Sequence, residues 1–290
     1  MDPSLARKTW RSLEPLHAMI YFVPEAQAAY EAVGIRGSRM GYFASRAAAM
    51  GPVPAEVVIA TFYNFAPSLV RRAIPAAWSL ASPAAILSAR LEAAGDALRR
   101  GLGDGVAASP EVAEAAALAR QAAEAACQHP YGRPLFAAHG ALEWPGEPLL
   151  DLWHAQTLLR EFRGDGHVAA LLVAGIGPLD ALVLHEASGE IPEGFLRVSR
   201  AWSPEEWAEA VDDLRGRGLL EAGEASPRLS AEGSRLRAHL EDETDARALA
   251  PYEAIGDAGC ARLRELGRPL SKAVVGSGLL TADVARLGAE

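Results

Sequence analysis

Proline recurs along this chain directly ahead of apolar-periodic segments, and that punctuation constrains the fold more than any other feature. Ser82-Pro83 and Ser109-Pro110 read as an N-cap followed by proline at the first helical position, where its missing N–H costs nothing. Pro24, Pro54, Pro67, Pro178, Pro192 and Pro204 open further segments in the same way. Between them apolar residues return at helical spacing, as at Leu87, Leu91, Ala94 and Leu98, and alanine, the best helix former, is in excess. The expectation is a mainly α protein.

With 290 residues the chain exceeds one ordinary domain. The segment from Gln128 to Pro148 concentrates proline and glycine, which predicts an irregular connection. The organisation expected is an N-terminal helical half over residues 1–128, the connection over 129–148, a second half over 149–245, and C-terminal helices over 246–290 that pack back on the body. Within the second half, Gly164-Asp165-Gly166 is expected to interrupt the helix that carries Trp153 to Phe162. A weak internal pseudo-repeat is visible by eye: Arg36-Gly37, an apolar helix and Gly51-Pro52 match Arg163-Gly164, an apolar helix and Gly177-Pro178.

Residues 178–240 give helix, turn, helix, a polar turn between Leu219-Leu220 and Arg228-Leu229-Ser230, then a long helix from Ala231, with Ser230 as its cap. Two short strands joined by that turn would make a winged helix, and Arg217-Gly218-Leu219-Leu220 with Leu229-Ser230-Ala231-Glu232-Gly233 resembles the wing of MarR-type regulators. The helix placed to enter the major groove carries Glu205, Glu206, Glu209, Asp212 and Asp213 against Arg215 and Arg217, and Glu221 and Glu224 add to the wing. The whole chain holds 28 basic and 37 acidic residues, a net charge of −9. A phosphate-binding face needs the opposite balance, so DNA is a disfavoured partner.

From end to end the chain resembles the actinobacterial SalK-like helix-turn-helix proteins, many encoded beside natural-product biosynthesis genes. The residues carrying the resemblance are Trp10 with Leu13-Glu14-Pro15-Leu16-His17 and Tyr21-Phe22; Met40-Gly41-Tyr42-Phe43; Thr61-Phe62-Tyr63-Asn64-Phe65; Gly132-Arg133-Pro134-Leu135-Phe136; and Leu159 through Ala170. That family implies no general reaction, and its helix-turn-helix label describes shape. Phe162 departs from its pattern, which more often has His there, so no role is carried to that position. The resemblance makes His17 a pocket candidate beside its reading as a satisfied core histidine.

The segment His154–His167 gathers Arg160, Glu161, Arg163 and Asp165 between two imidazoles in an Ala and Leu background, a density suited to acid–base or anion-binding work. His154, His167 and Asp165 are the catalytic candidates, with Arg160 or Arg163 holding an oxyanion. The structural alternative is a helix junction capped by Asp165 with an Arg–Asp pair. Tyr63 and Asn64 mark either a polar spot in an apolar pocket or a helix C-cap packed on the other half. Tyr21, Tyr42 and Trp153, with Phe22, Phe43 and Phe62, would supply apolar walls.

A divalent metal held by His154, Glu161 and His167, joined by His17 or His185, is chemically conceivable, but no HExxH or paired CxxC supports it and no metal ligand is assigned. No GxGxxG, Walker loop or GxSxG is present, so no cofactor is expected. Cys127 and Cys260 lie far apart and nothing resembles a secretory leader, which fits a reducing cytoplasm. The apolar run Val168–Ile176 is too short for a bilayer. The sequence thus points to a small-molecule enzyme of natural-product metabolism performing a cofactor-independent acid–base step (isomerisation, cyclisation, elimination or hydrolysis) on a hydrophobic molecule with an anionic or carbonyl group. A MarR-like ligand-responsive regulator and a metabolite-sequestering protein are the alternatives, and a homodimer is compatible with each.

Overall fold

The computed structural model describes residues 1–192, 194–223 and 226–280; Glu224 and the end of the expected C-terminal segment, residues 281–290, lie outside the described residues. The chain is mainly α, with no strand among those residues. The N-terminal part comprises α1 (Ser4–Ala18), α2 (Pro24–Ala32), α3 (Ser38–Ala47), α4 (Ala55–Phe62), α5 (Pro67–Ala73), α6 (Ala76–Leu80), α7 (Pro83–Leu102), α8 (Asp104–Ala107), α9 (Pro110–Ala126) and α10 (Pro134–Gly140). After them come α11 (Pro148–Val173), α12 (Pro178–Ala187), α13 (Phe195–Arg200), α14 (Pro204–Gly216), α15 (Ala231–Arg247), α16 (Ala250–Glu253) and α17 (Gly256–Gly276).

The helix starts follow the Ser-Pro punctuation. Ser82 accepts the N–H of Ala85, Ser109 that of Val112, and Ser203 that of Glu206, whose carboxylate returns to the Ser203 N–H. Ser230 caps α15 by accepting the Gly233 N–H at 3.0 Å. Gly233 itself is required by packing, because a Cβ there would stand 2.0 Å from the Leu219 carbonyl oxygen.

Helix α11 is the axis of the molecule: α9, α15, α10, α1 and α7 all pack on it, and α17 closes over α1. One hydrophobic cluster runs from Ala6 to Leu279 and includes Leu152, Leu158 and Phe162 of α11. A second, centred on Val183, Leu184, Val211 and Leu214, joins the end of α11 to α12, α14 and α15.

Three local expectations are corrected. Gly164-Asp165-Gly166 does not interrupt α11, which runs unbroken through them. Gly166 instead lets Arg133 lie across the helix: a Cβ there would be 2.7 Å from the Arg133 Nη1, and that guanidinium donates to the Phe162 carbonyl and sits over the Phe162 ring. The proposed repeat fails at its Arg-Gly pair, since Gly37 precedes α3 with φ 77° while Gly164 is inside a helix. The two wing strands reduce to a single antiparallel bridge between Leu220 and Leu229. No single helix among the described residues is long and apolar enough to cross a membrane, and both cysteines are free thiols.

Candidate functional site

Four helices converge on one buried polar cluster. Helical spacing puts Glu14 and His17 on one face of α1, with Tyr21 in the 3₁₀ turn that follows, Tyr42 and Arg46 a turn apart on α3, and Trp153, Thr157, Arg160 and Glu161 on α11. Helix α7 adds Arg90. His17, fully buried, stacks on Trp153 with ring centres 5.7 Å apart. Tyr21 tilts against Tyr42 at 5.1 Å, and the Arg160 guanidinium lies over the Tyr21 ring at 5.5 Å.

Hydrogen bonds order these groups. Thr157 Oγ1 donates to the Trp153 carbonyl, so it accepts from His17 Nδ1 at 3.0 Å. That fixes the Nδ1–H tautomer and leaves Nε2 to accept the Tyr21 hydroxyl at 2.9 Å. Glu161 receives both Arg46, at 2.9 and 3.1 Å, and Arg160, at 3.1 Å. Arg46 also donates to the Tyr42 hydroxyl at 2.8 Å, and Arg160 to Glu14 at 2.9 Å. Arg160 retains its Nη2 without a bond among the described residues, and its side chain is 24% exposed.

Positive charge prevails here. Among the described residues Arg46, Arg90, Arg160 and Arg200, the last from α13 and seated over Phe65 at 5.1 Å, form ion pairs with Glu14 and Glu161 alone. Burial opposes ionisation of Glu161, yet Arg46 and Arg160 outweigh it and hold the carboxyl well below its usual range. Burial, reinforced by Arg160, Arg90 and Arg46, drives His17 well below the ordinary imidazole value, and burial raises Tyr21. The resting site is thus a neutral phenol–imidazole pair set among guanidinium groups, an electrostatic setting that favours an incoming anion.

The other sequence candidates lie elsewhere. Burial, with Arg90 second, lowers His154 to about 4, and its ring meets Trp144 edge-on at 4.9 Å. His167 hydrogen-bonds Thr244 at 2.9 Å, and Arg163 pairs with Asp245 at 2.7 Å and Glu241 at 3.1 Å. Thirteen residues along one helix put His154 and His167 about 20 Å apart, so they serve no common reacting atom. Asp165 caps no continuation of α11; it accepts the Phe136 N–H at the start of α10 at 2.9 Å, and burial raises its carboxyl to about 6. Tyr63, not Asn64, is the C-cap of α4, with φ 62°, and its hydroxyl donates to the Ile176 carbonyl. The Asn64 carbonyl accepts the Trp202 indole N–H at 3.0 Å. Among the described residues no three His, Cys, Asp or Glu side chains group as metal ligands, and the trio His154, Glu161 and His167 is dispersed.

Sequence reasoning did not single out Arg46, Arg90 or Arg200. The available signal was position: Arg90 falls on the apolar stripe of α7 with Ile86, Ala94 and Ala97, where a cation has no solvent.

The acidic residues of α14 are exposed: Glu205, Glu206, Glu209, Asp212 and Asp213 all face solvent. No curated protein and no solved structure matches the chain. A family model described as a helix-turn-helix family matches residues 6–281. The chain belongs to that helix-turn-helix family.

Proposed function

We propose that the chain binds a small anionic molecule with a flat apolar part at the Tyr21–Tyr42–Arg160 face and moves a proton on it through Tyr21 and His17. The observation that carries this reading is the Tyr21–His17–Thr157 hydrogen-bond chain ending beside guanidinium groups that outnumber their carboxylates. The outer wall is apolar, with Phe22 43% exposed and edge-on to Tyr21. As a proton leaves the ligand for the Tyr21 oxygen, the Tyr21 proton passes to His17 Nε2, and the reverse transfer returns it at another atom. Arg160 stabilises the negative charge that develops. An anionic ligand offsets the surrounding guanidinium charge and so raises the basicity of His17 when it is needed. This places the acid–base work on His17 rather than on His154 or His167, and it suits a cofactor-independent isomerisation, elimination, cyclisation or hydrolysis.

Incubation of the purified protein with a small-molecule extract, followed by mass spectrometry, tests this. An anionic species consumed by the native protein and processed about 100-fold more slowly by Tyr21→Phe is the expected result. Equal turnover by Tyr21→Phe would remove the proton-transfer role.

A ligand-responsive regulator is the second reading, favoured by one contact: Arg39 of α3 donates to the Ser199 carbonyl of α13, which links the site to the helix-turn-helix. The exposed acids of α14 oppose DNA contact through that helix. A gel shift on the upstream DNA at low salt decides, because operator binding would be strong and salt-dependent.

A further inference from the structure

Arg90 is 2% exposed, and no carboxylate pairs with it among the described residues. Its Nη1 donates to the Ser45 carbonyl at 2.9 Å, and its guanidinium lies 5.3 Å from the Trp153 ring centre. Both Nε and Nη2 are buried without a partner. These two N–H groups share one edge of the guanidinium, the two-donor fork that a carboxylate takes side-on. Polar atoms left unsatisfied on the adjoining turn of α11 include the Trp153 Nε1, which can only donate, and the His154 Nε2.

A buried guanidinium without a counter-charge is costly, and among the described residues no ion pair supplies one. The titratable groups that face it are His17 from α1, Tyr21 from the 3₁₀ turn after it, Tyr30 from α2, His139 from α10 and His154 from α11. Burial, with Arg90 second, lowers His139 to about 3, so that imidazole is neutral, as are those of His17 and His154. Glu161 is taken by Arg46 and Arg160. What the environment lacks is an acceptor with negative charge.

We propose that the free edge of Arg90 is a binding site for a small monovalent anion of the carboxylate or halide class, between α3, α7 and α11. The site lies on the α7 side of the same polar cluster, rests on Arg90 rather than on the Tyr21–Arg160 face, and stands whether or not that face turns over a substrate. Its occupation links to protonation: burial chiefly depresses the three imidazoles and Arg90 adds to it, so an anion that offsets the Arg90 charge eases their protonation and binds more tightly as pH falls.

Thermal melts at constant ionic strength in sodium chloride, bromide, formate and sulfate test the proposal, alongside crystals soaked in bromide. A saturable rise in Tm with the monovalent anions over sulfate, lost in Arg90→Met, is expected, together with bromide anomalous density at Nε and Nη2 of Arg90. A response to formate without a response to halides assigns the carboxylate class; a response to both assigns a general anion site. If Arg90→Met does not fold, bromide density at Arg90 in the native protein still decides. Identical melts in all four salts, with no bromide density at Arg90, would overturn the proposal and leave water as the partner of that edge.

Discussion

Tyr21 and His17 meet at 2.9 Å, the phenol donating to the one imidazole nitrogen that the rest of the fold leaves bare. Both side chains come from one continuous stretch of chain, and Thr157 of α11 fixes the tautomer from the opposite side.

Tyr21→Phe keeps the ring contact with Tyr42 but strands His17 Nε2 in a buried site. A loss of about 1–2 kcal/mol in stability is expected, read as a lower urea midpoint with an unchanged m value. A variant as stable as the native protein would mean that the hydroxyl contributes nothing to the fold.

Glu161 is 2% exposed and receives two guanidinium groups. Glu161→Gln removes the carboxylate that pairs with Arg46 and leaves Arg160 with Glu14 alone, so destabilisation of about 3–5 kcal/mol is expected. Chemical denaturation measures it; a cost below about 1 kcal/mol would place the pair in water-like surroundings.

The Asp165 carboxyl, raised to about 6 from 3.8, takes up protons more readily folded than unfolded. Its contribution is therefore fully present below about pH 4 and is lost as pH rises through 6. Asp165→Asn can still accept the Phe136 N–H, so it should gain about 1–3 kcal/mol over the native protein at pH 7.5 and nothing at pH 4. His139 and His154, at about 3 and 4, act in the opposite sense, destabilising the fold as pH drops below 6.5. The comparison is thus made between native and variant at each pH. A gain that does not change with pH would contradict the assignment.

The helix starts were legible because Ser-Pro pairs act locally: capping and the φ of proline need no distant partner. Gly164 and Gly166 misled for the opposite reason, since the use of Gly166 is tertiary, a bed for Arg133 from the 129–148 connection. His17, Tyr21, Tyr42, Trp153 and Arg160 come together in the fold, and helical spacing on α1 and α11 accounts for it. His154 and His167 looked close only along the sequence. Arg46 and Arg90 stayed hidden because arginine in an alanine-rich helix normally faces solvent; only the packing of α3 and α7 against α11 turns them inward.

The ligand claim is tested most directly by calorimetric titration of the native protein and Arg160→Gln with benzoate and with its neutral analogue benzamide. The account predicts that benzoate binds the native protein at least about tenfold more tightly than benzamide, a difference of about 1.4 kcal/mol, and that Arg160→Gln abolishes the preference. Equal affinity for the two probes, or a benzoate preference unchanged in Arg160→Gln, would contradict it.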